Sequence, residues 1–134
     1  MHTNDTSEIT QKHLASSIEW LSMMSASDRW NLTDDEVAQI LGIDTGDYQD
    51  LKYRVANRQA VVMTWDLVER VSLLFSISQS LATLAPTDKL ALDWFNKANS
   101  GDFLKEKSIK NYLLMHTSIT DFHTLNNYLK SLIR

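Results

Sequence analysis

The sequence predicts an all-α fold, and three observations carry that expectation. Apolar residues recur at helical spacing in one segment after another. The 134 residues include three glycines and one proline, too little turn chemistry for a chain of many short strands. Leu32 to Arg58 (LTDDEVAQILGIDTGDYQDLKYRVANR) reads as helix, tight turn, helix. About seven helices are expected, in a helix-turn-helix lobe followed by a smaller helical lobe.

The first helix runs from Glu8 to about Met24, with Leu14, Ile18 and Leu21 at i, i+4, i+7 and Trp20 beside that stripe. Ser25 to Asn31 breaks it, with Trp30 as a plug beneath the next unit. Thr33 followed by Glu36 forms the Ser/Thr-x-x-Glu capping box that opens a second helix over Asp34 to Leu41. Gly42 stops that helix in the left-handed C′ conformation, and Ile43 is the apolar residue after the stop. Thr45 or Asp44 caps the third helix, whose buried stripe is Tyr48, Leu51 and Val55.

Thr64 starts a fourth, strongly apolar helix over Trp65 to Leu84, with Leu67, Val71, Leu74 and Leu81 inward, Phe75 widening the stripe, and a break or kink expected around Ser76 to Ser78. Pro86 disfavours helix at Ala85 and marks the lobe boundary. Beyond it a helix over Asp88 to about Ala98 buries Leu90 or Ala91 together with Trp94 and Phe95. Asn99-Ser100-Gly101-Asp102 is a turn, and a helix from about Lys105 to Met115 turns Lys105, Lys107 and Lys110 outward. Ser118 with Asp121 caps a last helix whose stripe of Phe122, Leu125, Tyr128 or Leu129, and Leu132 runs almost to the chain end. The resulting division is 1–31 for the N-terminal helix, 32–85 for the helix-turn-helix unit and 86–134 for the C-terminal unit.

Composition restricts function. Thirteen basic and seventeen acidic residues give a formal charge of −4, which argues against coating nucleic acid through bulk electrostatics. With no cysteine there is no disulfide, thiolate metal site or Cys nucleophile. No run approaches the roughly 18 apolar residues of a membrane span, and the N-terminus lacks the features of a secretory signal. A soluble cytoplasmic protein with no membrane partner is the expectation. The four histidines form no catalytic or metal set, and neither a Gly-rich phosphate loop nor a nucleophile elbow occurs. No enzyme activity, cofactor or metal is expected. The four tryptophans, Trp20, Trp30, Trp65 and Trp94, are assigned to core packing ahead of base stacking.

In a helix-turn-helix that reads DNA, the third helix enters the major groove. Its outward residues include Thr45, Gln49, Lys52, Tyr53, Arg54 and Arg58, the candidate DNA-binding set. Gln49 suits adenine, and Lys52, Arg54 and Arg58 suit guanine or phosphate. Against this, Asp35 to Met63 holds five acidic side chains (Asp35, Glu36, Asp44, Asp47, Asp50) and three basic ones (Lys52, Arg54, Arg58), a segment charge of −2. DNA binding is therefore expected to be weak per monomer, or degenerate in sequence. Thr87 to Arg134, with seven basic and five acidic residues, carries +2.

LTDDEVAQILGI, then the third-helix segment, then WDLVERVSLLFSISQSLATL and ALDWF resemble the bacterial Xre/MbcA/ParS antitoxins over about Leu32 to Arg134. Glu69-Arg70-Val71, Ala91 with Trp94-Phe95, and Leu125, Leu129 and Ile133 carry the likeness most specifically. The chain departs from the family pattern near Ser108, where a Pro is usual, and at Thr120-Asp121, where a Gly is usual. The resemblance implies an Xre-like helix-turn-helix that represses its own operon and a C-terminal toxin-binding domain. The implied partner is a cognate toxin, most often a RES-domain enzyme that consumes NAD. Trp94, Lys130, Leu132, Ile133 and Arg134 are the candidate toxin-binding residues, the last four as a plug at the free end of the last helix. A homodimer is expected, since helix-turn-helix proteins usually read two half-sites and the first helix offers Trp20, Met23 and Met24 to an interface. The alternative is a helix-turn-helix-shaped interaction module or transcriptional regulator without a toxin partner.

Overall fold

Five helices begin at a Ser or Thr whose hydroxyl accepts a backbone N–H of the first turn: Thr33, Thr64, Thr87, Ser108 and Ser118. Each satisfies one of the amides that a helix start leaves unpaired. The computed structural model describes residues 3–99, 101 and 103–133, with side chains from residue 11 onward. Among the described residues the fold is all-α, with helices α1 (Thr3–Met24), α2 (Asp34–Leu41), α3 (Thr45–Ala56), α4 (Trp65–Leu84), α5 (Asp88–Asn96), α6 (Ile109–Met115) and α7 (Ile119–Ser131). None of these helices is long and apolar enough to cross a membrane. Of the expected Asn99 to Asp102 turn, Ser100 and Asp102 lie outside the described residues.

The hairpin of α2 and α3 follows the sequence closely. Thr33 and Glu36 form the full capping box, with Glu36 N–H donating to Thr33 Oγ1 at 3.1 Å and Thr33 N–H to Glu36 Oε1 at 2.9 Å. Gly42 has φ +71°, and the amides of Gly42 and Ile43 donate to the carbonyls of Gln39 and Ala38. This is a Schellman stop, in which a left-handed residue closes the helix. The end of α3 repeats it: Arg58 has φ +56°, its amide donates to Val55 and the Gln59 amide donates to Arg54. Here an arginine occupies the position that glycine usually fills.

Other element boundaries differ from expectation. The first helix starts at Thr3, not Glu8, because its polar leading residues extend a helix already anchored by Leu14, Ile18 and Leu21. Helix α4 is unbroken through Ser76 to Ser78; the Ser76 hydroxyl bonds Asn126 Oδ1 of α7 at 3.0 Å instead of competing for the helix backbone. Helix α5 ends at Asn96, where Lys97 turns extended. Helix α6 begins only at Ile109, since Lys105 and Glu106 both have positive φ, 51° and 72°, and Ser108 supplies the cap. Thus Lys105 and Lys107 lie outside α6. Lys110 does not point freely to solvent: it donates to the Asn31 carbonyl at 2.6 Å. Helix α7 stops at Ser131, short of the chain end.

One contiguous core runs through both sides of Pro86, from Leu14, Trp30 and Tyr48 to Phe95, Leu113, Phe122 and Leu129. Helix α4 is its axis, packing on α7, α5, α1 and α2. Trp30 is the plug that the sequence suggested, with its ring stacked on Phe95 of α5 at 4.2 Å and an interplanar angle of 6°. Trp20 meets Trp30 and Phe75 edge-on at 5.6 and 5.2 Å. The assignment of all four tryptophans to the core fails for Trp65, which is 88 % exposed at the first position of α4. Phe75 and Leu90 are also exposed, because burial on α4 and α5 follows Leu74, Ile77 and Phe95 on the neighbouring faces.

Arg70 joins the hairpin to the C-terminal helices. Its Nη1 donates to the Ile40 carbonyl at 3.0 Å and to the Thr117 carbonyl, while Nε bonds Asp66 at 2.7 Å. Gln11 of α1 makes a reciprocal pair with the backbone of Val61, at 2.8 and 2.9 Å, which fixes the connector between α3 and α4.

Candidate functional site

Five of the six residues expected to meet DNA lie on α3 and the sixth, Arg58, just beyond it; four of the six already have partners within the chain. Thr45 Oγ1 donates to Asp35 at 2.7 Å. Gln49 Nε2 donates to Asp34 at 3.2 Å, and Lys52 Nζ approaches the other Asp34 oxygen at 2.6 Å. Arg54 Nε bonds Asp50 one turn back on α3 at 2.8 Å. Tyr53 is exposed, and Arg58 lies just past the end of the helix. The geometry thus brings Thr45, Gln49 and Lys52 together with the first turn of α2, while Tyr53, Arg54 and Arg58 stand apart from it.

Sequence reading missed Asp34 and Asp35 as partners of this face. Three consecutive acids at a helix start are already explained by the favourable interaction of carboxylates with the positive end of the helix. Their second role depends on how α3 crosses α2, which places Lys52 beside Asp34. The Asp34 carboxyl is held below its usual range, first by the Lys52 hydrogen bond, opposed by burial and helped by Gln49. Beneath this face Tyr48 is fully buried, and its hydroxyl has no hydrogen-bond partner among the described residues. Burial, with the Asp34 charge behind it, pushes its pKa up to about 12, against a smaller pull from Ser25 and Ser22.

The residues expected to meet a toxin fall on two elements. Trp94 lies on α5, partly buried and packed against the core. Lys130 is exposed near the end of α7, and Leu132 and Ile133 follow it with 38 % and 36 % of their surface open. Arg134 lies outside the described residues. Helix α5 packs on α4 and α6, whereas α7 packs chiefly on α4, so Trp94 and the tip belong to separate elements. Among the described residues the tip is a short apolar end, Leu132 and Ile133, following the exposed cation Lys130.

Between α1 and α4 lies an apolar groove of about 520 Å³ lined by His13, Trp20, Val71 and Phe75. Of the residues expected at a dimer interface, Trp20 is committed to the aromatic set with Trp30 and Phe75, Met24 is partly buried, and Met23 is 47 % exposed. His123 Nε2 of α7 lies 2.6 Å from Glu69 Oε2 of α4, pairing two residues that the sequence treated separately. Among the described residues no group of three or more His, Cys, Asp or Glu side chains is arranged to hold a metal.

These features define an all-α protein built on a helix-turn-helix hairpin and a C-terminal helical unit that share one core. Comparison with protein-family models, curated proteins and solved structures gives no match.

Proposed function

We propose that this chain is the antitoxin of a toxin–antitoxin pair, acting chiefly by binding its toxin through the C-terminal helices. The observation that carries the reading is the exposed Leu132-Ile133 tip beyond α7, next to Lys130, on a helix otherwise anchored by Phe122, Leu125 and Leu129. A rigid helix ending in an apolar tip suits insertion into an enzyme's active-site entrance and needs no catalytic group of its own. The resemblance to Xre/MbcA/ParS antitoxins favours a RES-type, NAD-consuming toxin. In this reading the protein is a cytoplasmic homodimer whose α3 contacts operator DNA weakly.

Removal of Lys130 to Arg134 tests the proposal. The truncated chain keeps its helical circular dichroism but fails to protect cells from the co-expressed toxin of the adjacent gene. Full protection by the truncated chain overturns it.

A second reading, a helix-turn-helix-shaped interaction module without a toxin, draws support from the carboxylates engaged with Thr45, Gln49, Lys52 and Arg54. An isolated gene and no binding to DNA at low salt favour it.

A further inference from the structure

On α3 the carboxylates nearest the candidate reading residues come from both helices of the hairpin. Asp34 takes Lys52 and Gln49, one on each oxygen, and Asp35 takes Thr45. Asp50 takes Arg54. The two cations within α3 therefore face solvent as neutral ion pairs. The Lys52–Asp34 pair is the shorter, at 2.6 Å, with both side chains about two-thirds covered (32 % and 34 % exposed). The Tyr48 ring adds a further constraint, lying 5.1 Å from the Lys52 ammonium.

We propose that the acidic first turn of α2 is a built-in brake on nucleic-acid binding by α3, in which Asp34 and Asp35 hold Lys52, Gln49 and Thr45 away from duplex DNA. The proposal rests on reading α3 as the DNA-facing helix. A phosphate approaching Lys52 must displace a carboxylate already in contact with it, and the displaced carboxylate then faces the phosphate as a like charge. Thr45 has its one hydroxyl proton on Asp35, and Gln49 has one of its two amide N–H groups on Asp34, which turns its head group toward α2 and away from a base edge. The full negative charge on Asp34, favoured by its hydrogen bonds, keeps the brake in place across the neutral range.

The test is equilibrium binding of the full-length chain to a fluorescent duplex of mixed sequence, across a salt series. Asp34→Asn keeps the size and cap geometry of the first turn while removing the charge. Freeing one cation for one phosphate should tighten binding about tenfold at low salt and steepen the dependence of log K on log salt by about one. Lys52→Ala added to Asp34→Asn should cancel both effects. Asp88→Asn, which removes the same charge from the exposed first turn of α5, should give no comparable gain. Unchanged or weaker binding by Asp34→Asn overturns the brake. If the native chain binds and Arg58→Ala weakens it while Asp34→Asn gains nothing, the brake fails and the DNA-facing reading stands. If no variant binds at low salt, both fail.

Discussion

Arg70 of α4 lies over the ring of Phe122 of α7, with its guanidinium carbon 5.3 Å from the ring centre, while the same group donates to the Ile40 carbonyl of α2 at 3.0 Å. One side chain, 11 % exposed, thereby links the end of the first hairpin helix, the central helix and the last helix. Its neighbours extend the link, since Glu69 pairs with His123 of α7 and Val71 is buried. The hairpin and the C-terminal unit are joined through this polar joint as well as through apolar packing.

Arg70→Ala should therefore destabilise the whole chain. It leaves the carbonyls of Ile40 and Thr117 without this donor and removes the cation over Phe122, a loss of about 2–3 kcal/mol. Arg70→Lys should recover less than half, because a single ammonium cannot reproduce the planar fork that spans both carbonyls and Asp66. Asp66→Asn removes only the exposed ion pair and should cost well under about 1 kcal/mol. Urea unfolding followed by circular dichroism ranks the three. An Arg70→Ala loss no larger than that of Asp66→Asn would show that the joint contributes little.

The two helix stops of the hairpin make opposite predictions from the same geometry. Gly42→Ala places a Cβ at φ +71°; the nearest atom is the Arg70 guanidinium carbon at 3.5 Å, an ordinary contact, so the cost is backbone strain alone, about 1–2 kcal/mol. Arg58→Gly relieves strain at φ +56° and should stabilise by about 1 kcal/mol while removing a candidate phosphate contact. A thermal melt and a DNA titration on Arg58→Gly should move in opposite directions. Loss of stability in that variant would mean that the Arg58 side chain makes a contact stronger than its backbone strain.

What the sequence made legible was local chemistry. Thr33 with Glu36, Gly42 with Ile43, Thr64, and Ser118 with Asp121 all announce helix ends within a few residues, and the structure places the ends there. The stripes of α1, α4 and α7 were readable for the same reason, although Trp65 and Phe75 show that periodicity does not fix where an apolar stripe stops. The start of α6 was hidden because the left-handed Lys105 and Glu106 carry no glycine to mark them. The state of the candidate reading face was hidden more deeply. Lys52 and Asp34 are 18 residues apart, and only the crossing of two helices makes them partners. A segment charge of −2 shows that acids outnumber bases; it does not show which base each acid holds.

Asp34 also links this face to stability, and the sign of that link can be tested with pH. Its folded-state pKa lies below the ordinary carboxylate value, so ionised Asp34 favours the folded chain. That contribution is fully present above the unfolded carboxylate range, near pH 4, and is lost as pH falls through the lowered folded value. The difference in unfolding free energy between the native chain and Asp34→Asn should be flat from about pH 6 upward and close under acid. Because the pair is about one-third exposed, the plateau should stay under about 1 kcal/mol and shrink as salt is added. A difference that persists unchanged at pH 2 would assign the effect to the loss of something other than charge. If the plateau appears and Asp34→Asn also binds DNA more tightly at neutral pH, one carboxylate stabilises the hairpin at the expense of its affinity for phosphate, a trade between stability and function at a single site.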